Sequence, residues 1–151
     1  MASWMNRKAG LSRGVKMLRR SGLRPRRHSI ETRSGLIQEL DRVTSLIVRK
    51  RDEYCVTCGE ARPELLTASH FYSRRWLNVR FDLRNVNCQC LRCNCIVHVS
   101  NVWPYTSWFV NHYGTDVMHE LFTLRNRRET PSTDELKFML SEYRQALREM
   151  T

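Results

Sequence analysis

The sequence lacks the long apolar runs that would tie it to a membrane. No stretch approaches the ~20 apolar residues of a spanning helix, and no apolar run near the N-terminus resembles a secretory signal. These absences predict an intracellular protein, cytoplasmic or nucleoid-associated, with no membrane partner. They also leave its six cysteines without the oxidising compartment that a set of disulfides requires. No internal repeat is visible. Acidic residues are missing from one region: residues 1–30 contain nine Lys or Arg and no Asp or Glu.

Of the formal charge of +11, most is placed in that arm, and a second excess lies in residues 61–95, where six basic residues face two acids. An acid-free arm with Arg19, Arg20, Arg26 and Arg27 suits a polyanion, nucleic acid being the usual one, and binding of that kind weakens steeply with salt. Two other readings of the arm stay open. It could be a solvated tail, or a mitochondrial transit peptide, since those are rich in Arg and Ser and poor in acids. Gly10, Gly14, Gly22 and Pro25 argue against a long helix there. The chain therefore divides into a basic arm, residues 1–34, and one domain, residues 35–151, whose length and 41% hydrophobic content allow a modest core.

In that domain Leu36, Leu40, Val43 and Ile47 recur at helical spacing over residues 35–52. Residues 65–72 and 86–89 read as short strands, with a basic and aromatic loop between them. A helix is expected to start near Asn94, with two short helices over 104–112 and 116–126 separated near Gly114. The last helix has the clearest start: Ser132 and Glu135 form a capping box, and Leu136, Leu140, Tyr143 and Leu147 form one apolar stripe, either core or dimer seam.

Cys55 and Cys58 form one Cys-x-x-Cys pair, and Cys90 and Cys93 a second. Each pair brings two thiolates from one tight turn to an ion at about 2.3 Å, and two pairs fill the tetrahedral positions of a structural Zn²⁺. No position is left open for chemistry. Cys88 and Cys95 remain, each a core thiol or a substitute ligand. Between the pairs lies His70. Histidine suits general-base work because its unperturbed pKa is about 6.5. Arg74, Arg75 and Arg80 suit phosphate clamping, as guanidinium pairs bidentately with phosphate oxygens, though a solvated basic loop is the plainer reading. Trp76 could stack on a base or pack in the core.

Taken in order, Cys55, Cys58, His70, Asn85, Cys90, Cys93 and Asn94 resemble the HNH, or ββα-metal (His-Me finger), endonucleases. The similarity is strongest to the phage NinG (Rap) recombination endonucleases and more distant to recombination endonuclease VII. Its blocks are Arg51-Asp52-Glu53-Tyr54-Cys55, Ala68-Ser69-His70-Phe71, Arg80 with Phe81 and Asp82, Asn85-Val86, and the Asn94 that ends the second knuckle. The tail residues Tyr105, Trp108, Gly114 and Glu120 are similar too.

The resemblance implies an α+β fold with a ββα-metal core, a four-cysteine structural zinc site and flanking α-helices. His70 would be the general base and Asn85 the brace of its loop. Asn94 and His98 would hold a catalytic Mg²⁺ or Mn²⁺, His98 also admitting Zn²⁺. The implied partner is DNA, branched as in a Holliday junction or D-loop, cut to a 5′-phosphate and a 3′-hydroxyl. Resolving a junction takes two nicks, which favours a homodimer through the C-terminal helices; a monomeric nickase stays open. Ser69 departs from the Asp or His found before the base in many HNH proteins. Asp82 could supply a ligand there or pair with Arg80 or Arg84. From a different class, a catalytically silent zinc module that binds DNA or RNA would use the arm and the cysteines but not His70, Asn85 and Asn94.

Overall fold

The computed structural model describes residues 29–97 and 100–150. The arm with Arg19, Arg20, Arg26 and Arg27, and also His98, lies outside the described residues. The first helix, α1 (Arg33–Asp52), begins two residues before the sequence pattern does because the Thr32 side chain caps the Gly35 amide at 3.1 Å. Arg49, Lys50 and Arg51 occupy its last turn, where cations complement the helix dipole. It stops at Glu53, which takes the left-handed conformation at φ 61°.

A 3₁₀ turn at Pro63–Leu65 leads into β1 (Leu66–His70), which pairs antiparallel with β2 (Val86–Cys90) in the register Leu66 to Cys90 and His70 to Val86. The connecting loop contains one helical turn, α2 (Leu77–Arg80), which the basic and aromatic composition concealed. After β2 the chain forms a π-helical turn at Cys93–Val97, where a helix was expected to start near Asn94. Then come α3 (Trp103–Arg125) and α4 (Thr133–Glu149). Helix α3 covers both short helices read from the sequence, and it is interrupted where they were separated, at Gly114, whose φ of 84° suits a residue without a Cβ.

Three apolar clusters hold these elements. The α1 stripe Leu36, Leu40, Val43 and Ile47 packs with Leu136 and Leu140 of α4, with Tyr143 and Leu147 at its edge. The α4 stripe is therefore core, covered within the chain, and not a free dimer seam. Glu39 on α1 accepts from Arg42 and from Arg144 on α4 at 2.8 Å, adding a polar tie along the same seam. The Ser132 capping box is formed in both directions. A second cluster joins Val48, Leu66, Val86 and Cys88 to three of the knuckle cysteines, Cys55, Cys90 and Cys93. The third sets Val79 of α2 against Phe109 and Leu121 of α3, with Phe71, Tyr72 and Trp76 beside them.

All five residues of β2 are buried, Asn87 and Gln89 included. Asn87 is fully engaged: its Oδ1 accepts from Arg51 Nη2 and Tyr113 Oη, each at 3.0 Å, and its Nδ2 donates to the Arg84 carbonyl and to Tyr105 Oη at 3.1 Å. Asp52 accepts from the Cys88 amide at 2.7 Å, and Arg51 donates to the Leu83 and Val86 carbonyls. The C-terminal end of α1 is thereby tied to β2.

Leu40 is fully buried in the α1 and α4 seam, whereas Phe138 on the outer face of α4 is 67% exposed. Leu40→Ala should cost about 2–5 kcal/mol in urea unfolding, while Phe138→Ala should stay within about 0.5 kcal/mol. A Leu40→Ala loss below about 1 kcal/mol would mean the seam is not a packed core.

Candidate functional site

The two knuckles converge. The Sγ atoms of Cys55, Cys58, Cys90 and Cys93 all lie within 4.8 Å of one another. Four sulfurs at about 2.3 Å from a central ion would be about 3.8 Å apart, and Cys58 and Cys90 are 3.7 Å apart. The donor set therefore fits Zn²⁺, with all four positions supplied by thiolates. The first knuckle turns through Gly59 at φ 79°, whose amide donates to the Cys55 carbonyl at 2.8 Å. In the second, the Cys93 amide points at Cys90 Sγ at 3.5 Å. Cys88 is fully buried and its thiol is pushed up to about 11, chiefly by burial. It is the neutral core thiol that the sequence left open. Cys95 is exposed, and neither residue joins the cluster.

His70 ends β1 and is half-buried. Its Nε2 lies 3.0 Å from the Arg80 carbonyl. A carbonyl can only accept, so Nε2 carries the proton and Nδ1 keeps its lone pair. Nδ1 has no hydrogen-bond partner among the described residues. Burial is the main influence lowering the pKa of His70 below its usual value; the positive charges of Arg80 and Arg74 act in the same direction, against the Arg80 carbonyl and Asp41. At neutral pH the ring is uncharged with a free Nδ1, which is the form of a proton acceptor.

Asn85 is buried and spans the loop that follows His70. Its Nδ2 donates to the Tyr72 carbonyl at 3.0 Å and the Val79 carbonyl at 2.8 Å, while its Oδ1 accepts from the Tyr72 amide at 2.8 Å. Every polar atom of the side chain is used to hold both ends of the loop, and the loop carries the carbonyl that orients His70.

Several of the other candidates are engaged within the fold. Arg80 is not a free phosphate clamp: its Nε and Nη2 bind the two oxygens of Asp41 on α1 at 2.9 and 2.6 Å. Asp82 pairs with Arg84 through both oxygens and caps its amide, so it is structural. The Asn94 amide is occupied by β1: Oδ1 accepts from Ser69 Oγ at 3.0 Å, and Nδ2 donates to Thr67 Oγ1 at 3.0 Å. Ser69 is itself buried, whereas Asn94 is half-buried and its Oδ1 accepts this one hydrogen bond. Among the described residues, the four cysteines are the one group of three or more His, Cys, Asp and Glu able to hold a metal. Arg74 and Arg75 are exposed, and Trp76 is half-buried with Arg75 over its ring at 4.7 Å.

Sequence reading missed the supports: Asp41 behind Arg80, and Arg51, Asp52, Tyr105 and Tyr113 around β2. The one available signal was the alternation Val86-Asn87-Cys88-Gln89-Cys90, which placed two amides on the face opposite the cysteines.

A family model described as "Bacteriophage Lambda NinG protein" matches residues 6–151. "Protein ninG" of Salmonella phage P22 is 28% identical over 132 residues, which cover 85% of this chain and 64% of that protein. "Protein ninG" of Escherichia phage 933W and of Escherichia phage lambda are each 27% identical over 132 residues, covering 64% and 63% of those proteins. The chain thus spans just under two thirds of the length of these relatives. No solved structure matches. No helix among the described residues is long and apolar enough to cross a membrane.

Elemental analysis should find one zinc per chain. Cys90→Ala should lose it and melt at a markedly lower temperature, whereas Cys88→Ala should retain it. Zinc retained by Cys90→Ala at full stoichiometry would contradict the four-thiolate site.

Proposed function

This chain belongs to the NinG family, and on that premise we propose that it is a metal-dependent HNH-type DNA endonuclease that hydrolyses phosphodiester bonds in branched DNA during recombination or replication. The observation that supports this most is His70: a neutral imidazole at the end of a zinc-framed hairpin, its Nε2 proton fixed by the Arg80 carbonyl and its Nδ1 unpaired among the described residues. In this reading Nδ1 takes a proton from water as the water oxygen attacks phosphorus in line with the 3′-oxygen. The bond from phosphorus to that oxygen breaks, leaving a 5′-phosphate and a 3′-hydroxyl once the leaving oxygen is protonated. Asn85 acts on the reaction indirectly, by fixing the loop on which the Arg80 carbonyl sits. Zinc holds the frame.

The preference for branched DNA rests on the family resemblance alone. So does the requirement for Mg²⁺ or Mn²⁺ with Asn94 and His98 as ligands; Asn94 Oδ1 accepts one hydrogen bond, from Ser69, and keeps a second lone pair. The contacts that hold Asn94 to β1 favour a second reading, a zinc module that binds nucleic acid without cutting it. A homodimer, if it forms for paired nicks, must use a surface other than the α4 stripe already covered by α1.

Purified protein incubated with labelled four-way junction, duplex or RNA, with Mg²⁺, Mn²⁺ or neither, separates the two. The nuclease reading expects metal-dependent cleavage of DNA, most of it on the junction, that His70→Ala abolishes while zinc content and DNA binding persist. Binding with no cleavage under any metal supports the silent module. Because the pKa of His70 is lowered, the neutral base is present above it and lost below it. Cleavage should rise with pH through a midpoint below about 6.5 and then stay level through neutrality. A midpoint above that value would remove His70 as the base.

A further inference from the structure

Of the fifteen described arginines, six are paired with carboxylates. Arg42, Arg51, Arg62, Arg80, Arg84 and Arg144 each pair with a carboxylate at 2.6–2.8 Å. Their charge is spent within the fold. The other nine have no carboxylate partner among the described residues, and three of these, Arg74, Arg75 and Arg125, converge on the loop that follows His70.

Arg125 is the unexpected member. It lies in the last turn of α3, far from the loop in sequence. Its guanidinium carbon is 5.0 Å from the ring centre of Tyr72, 5.3 Å from that of Trp76 and 4.6 Å from that of Phe122. Its one hydrogen bond is a long contact of 3.4 Å from Nε to Asn126 Oδ1. Tyr72 and Trp76 belong to the loop braced by Asn85, and Arg75 lies over the same Trp76 ring at 4.7 Å. Rings hold a guanidinium by its flat face and leave its edge donors for another acceptor. A carboxylate would neutralise that charge; rings do not. Phe122 is 48% exposed, so the cluster reaches the surface.

We propose that Arg125, held among Tyr72, Trp76 and Phe122, is an anchor for a backbone phosphate of the DNA strand that crosses His70, with Arg74 and Arg75 on the same rim. The identity of the polyanion rests on the nuclease reading above. The place of the anchor rests on the ring cluster and the missing carboxylate. The arrangement also supplies what a positively charged loop alone lacks, a guanidinium whose orientation is fixed before the strand arrives.

The test uses the full chain carrying His70→Ala, without added divalent metal, and measures fluorescence anisotropy on labelled duplex and four-way junction over a KCl series. Arg125→Gln and Arg125→Met should weaken binding severalfold and reduce the slope of log affinity against log salt by about 0.9, the change expected for one lost phosphate contact. Arg125→Lys should keep the slope, and Arg42→Gln should leave both slope and affinity alone. A slope unchanged in both charge-removing variants overturns the anchor.

If those variants do not fold, the unaltered chain decides. DNA should protect Arg125 from phenylglyoxal, read by mass spectrometry, and equal modification with and without DNA overturns the proposal. The two readings can fail separately. Cleavage by the unaltered chain with wild-type binding by Arg125→Gln removes the anchor alone. A lost slope in Arg125→Gln, with no cleavage by the unaltered chain, removes the nuclease and leaves the anchor.

Discussion

The convergence of Cys55, Cys58, Cys90 and Cys93 on one point is the constraint from which the rest of the site follows. A sheet of two five-residue strands does not hold together in water by itself. Here the loop that ends α1 and the end of β2 bring their thiols to one point that could hold a single ion, and a structural zinc contributes roughly 10–16 kcal/mol of apparent binding free energy to folds of this kind. The cysteines lie at one end of the hairpin. His70, paired with Val86, lies at the other.

That opposite end has its own supports, and they are polar. Asp41 holds the Arg80 guanidinium, whose residue's carbonyl holds His70, while Asn85 holds the loop at Tyr72 and Val79. Arg51 and Asp52 tie α1 to β2, and Asn94 ties the π-helical turn to β1. Buried amides and guanidinium groups are costly unless every donor and acceptor is matched, and these are nearly all matched. Gln89 Oε1 and Thr44 Oγ1 are the exceptions among the described side chains. The same residue type is used in two ways: arginines given a carboxylate tie the fold together, whereas Arg125 is set among aromatic rings with no carboxylate partner among the described residues.

Much of this was legible in the sequence, for physical reasons. The α1 and α4 stripes follow from helical periodicity, the Ser132 cap and the Gly114 break from backbone chemistry, and the cysteine site from spacing alone. What escaped were contacts between groups distant in the chain. Arg80 looked like a phosphate ligand because its partner, Asp41, is on a helix 39 residues away. Arg125 carried little signal because, beside Phe122 on its own helix, two of the three rings around it, Tyr72 and Trp76, come from a distant segment. The resemblance implies an ion-ligand role for Asn94, and its contacts with Thr67 and Ser69 could be seen only once the turn was laid against β1.

The central claim is that the frame presents His70 as a neutral imidazole with its proton on Nε2. Nitrogen-resolved NMR of the zinc-loaded chain tests it directly, because the two ring nitrogens differ in shift according to which one carries the proton. The account predicts the Nε2–H tautomer at neutral pH, converting to the imidazolium only below about 6.5. A proton on Nδ1, or an imidazolium persisting at neutral pH, would contradict it.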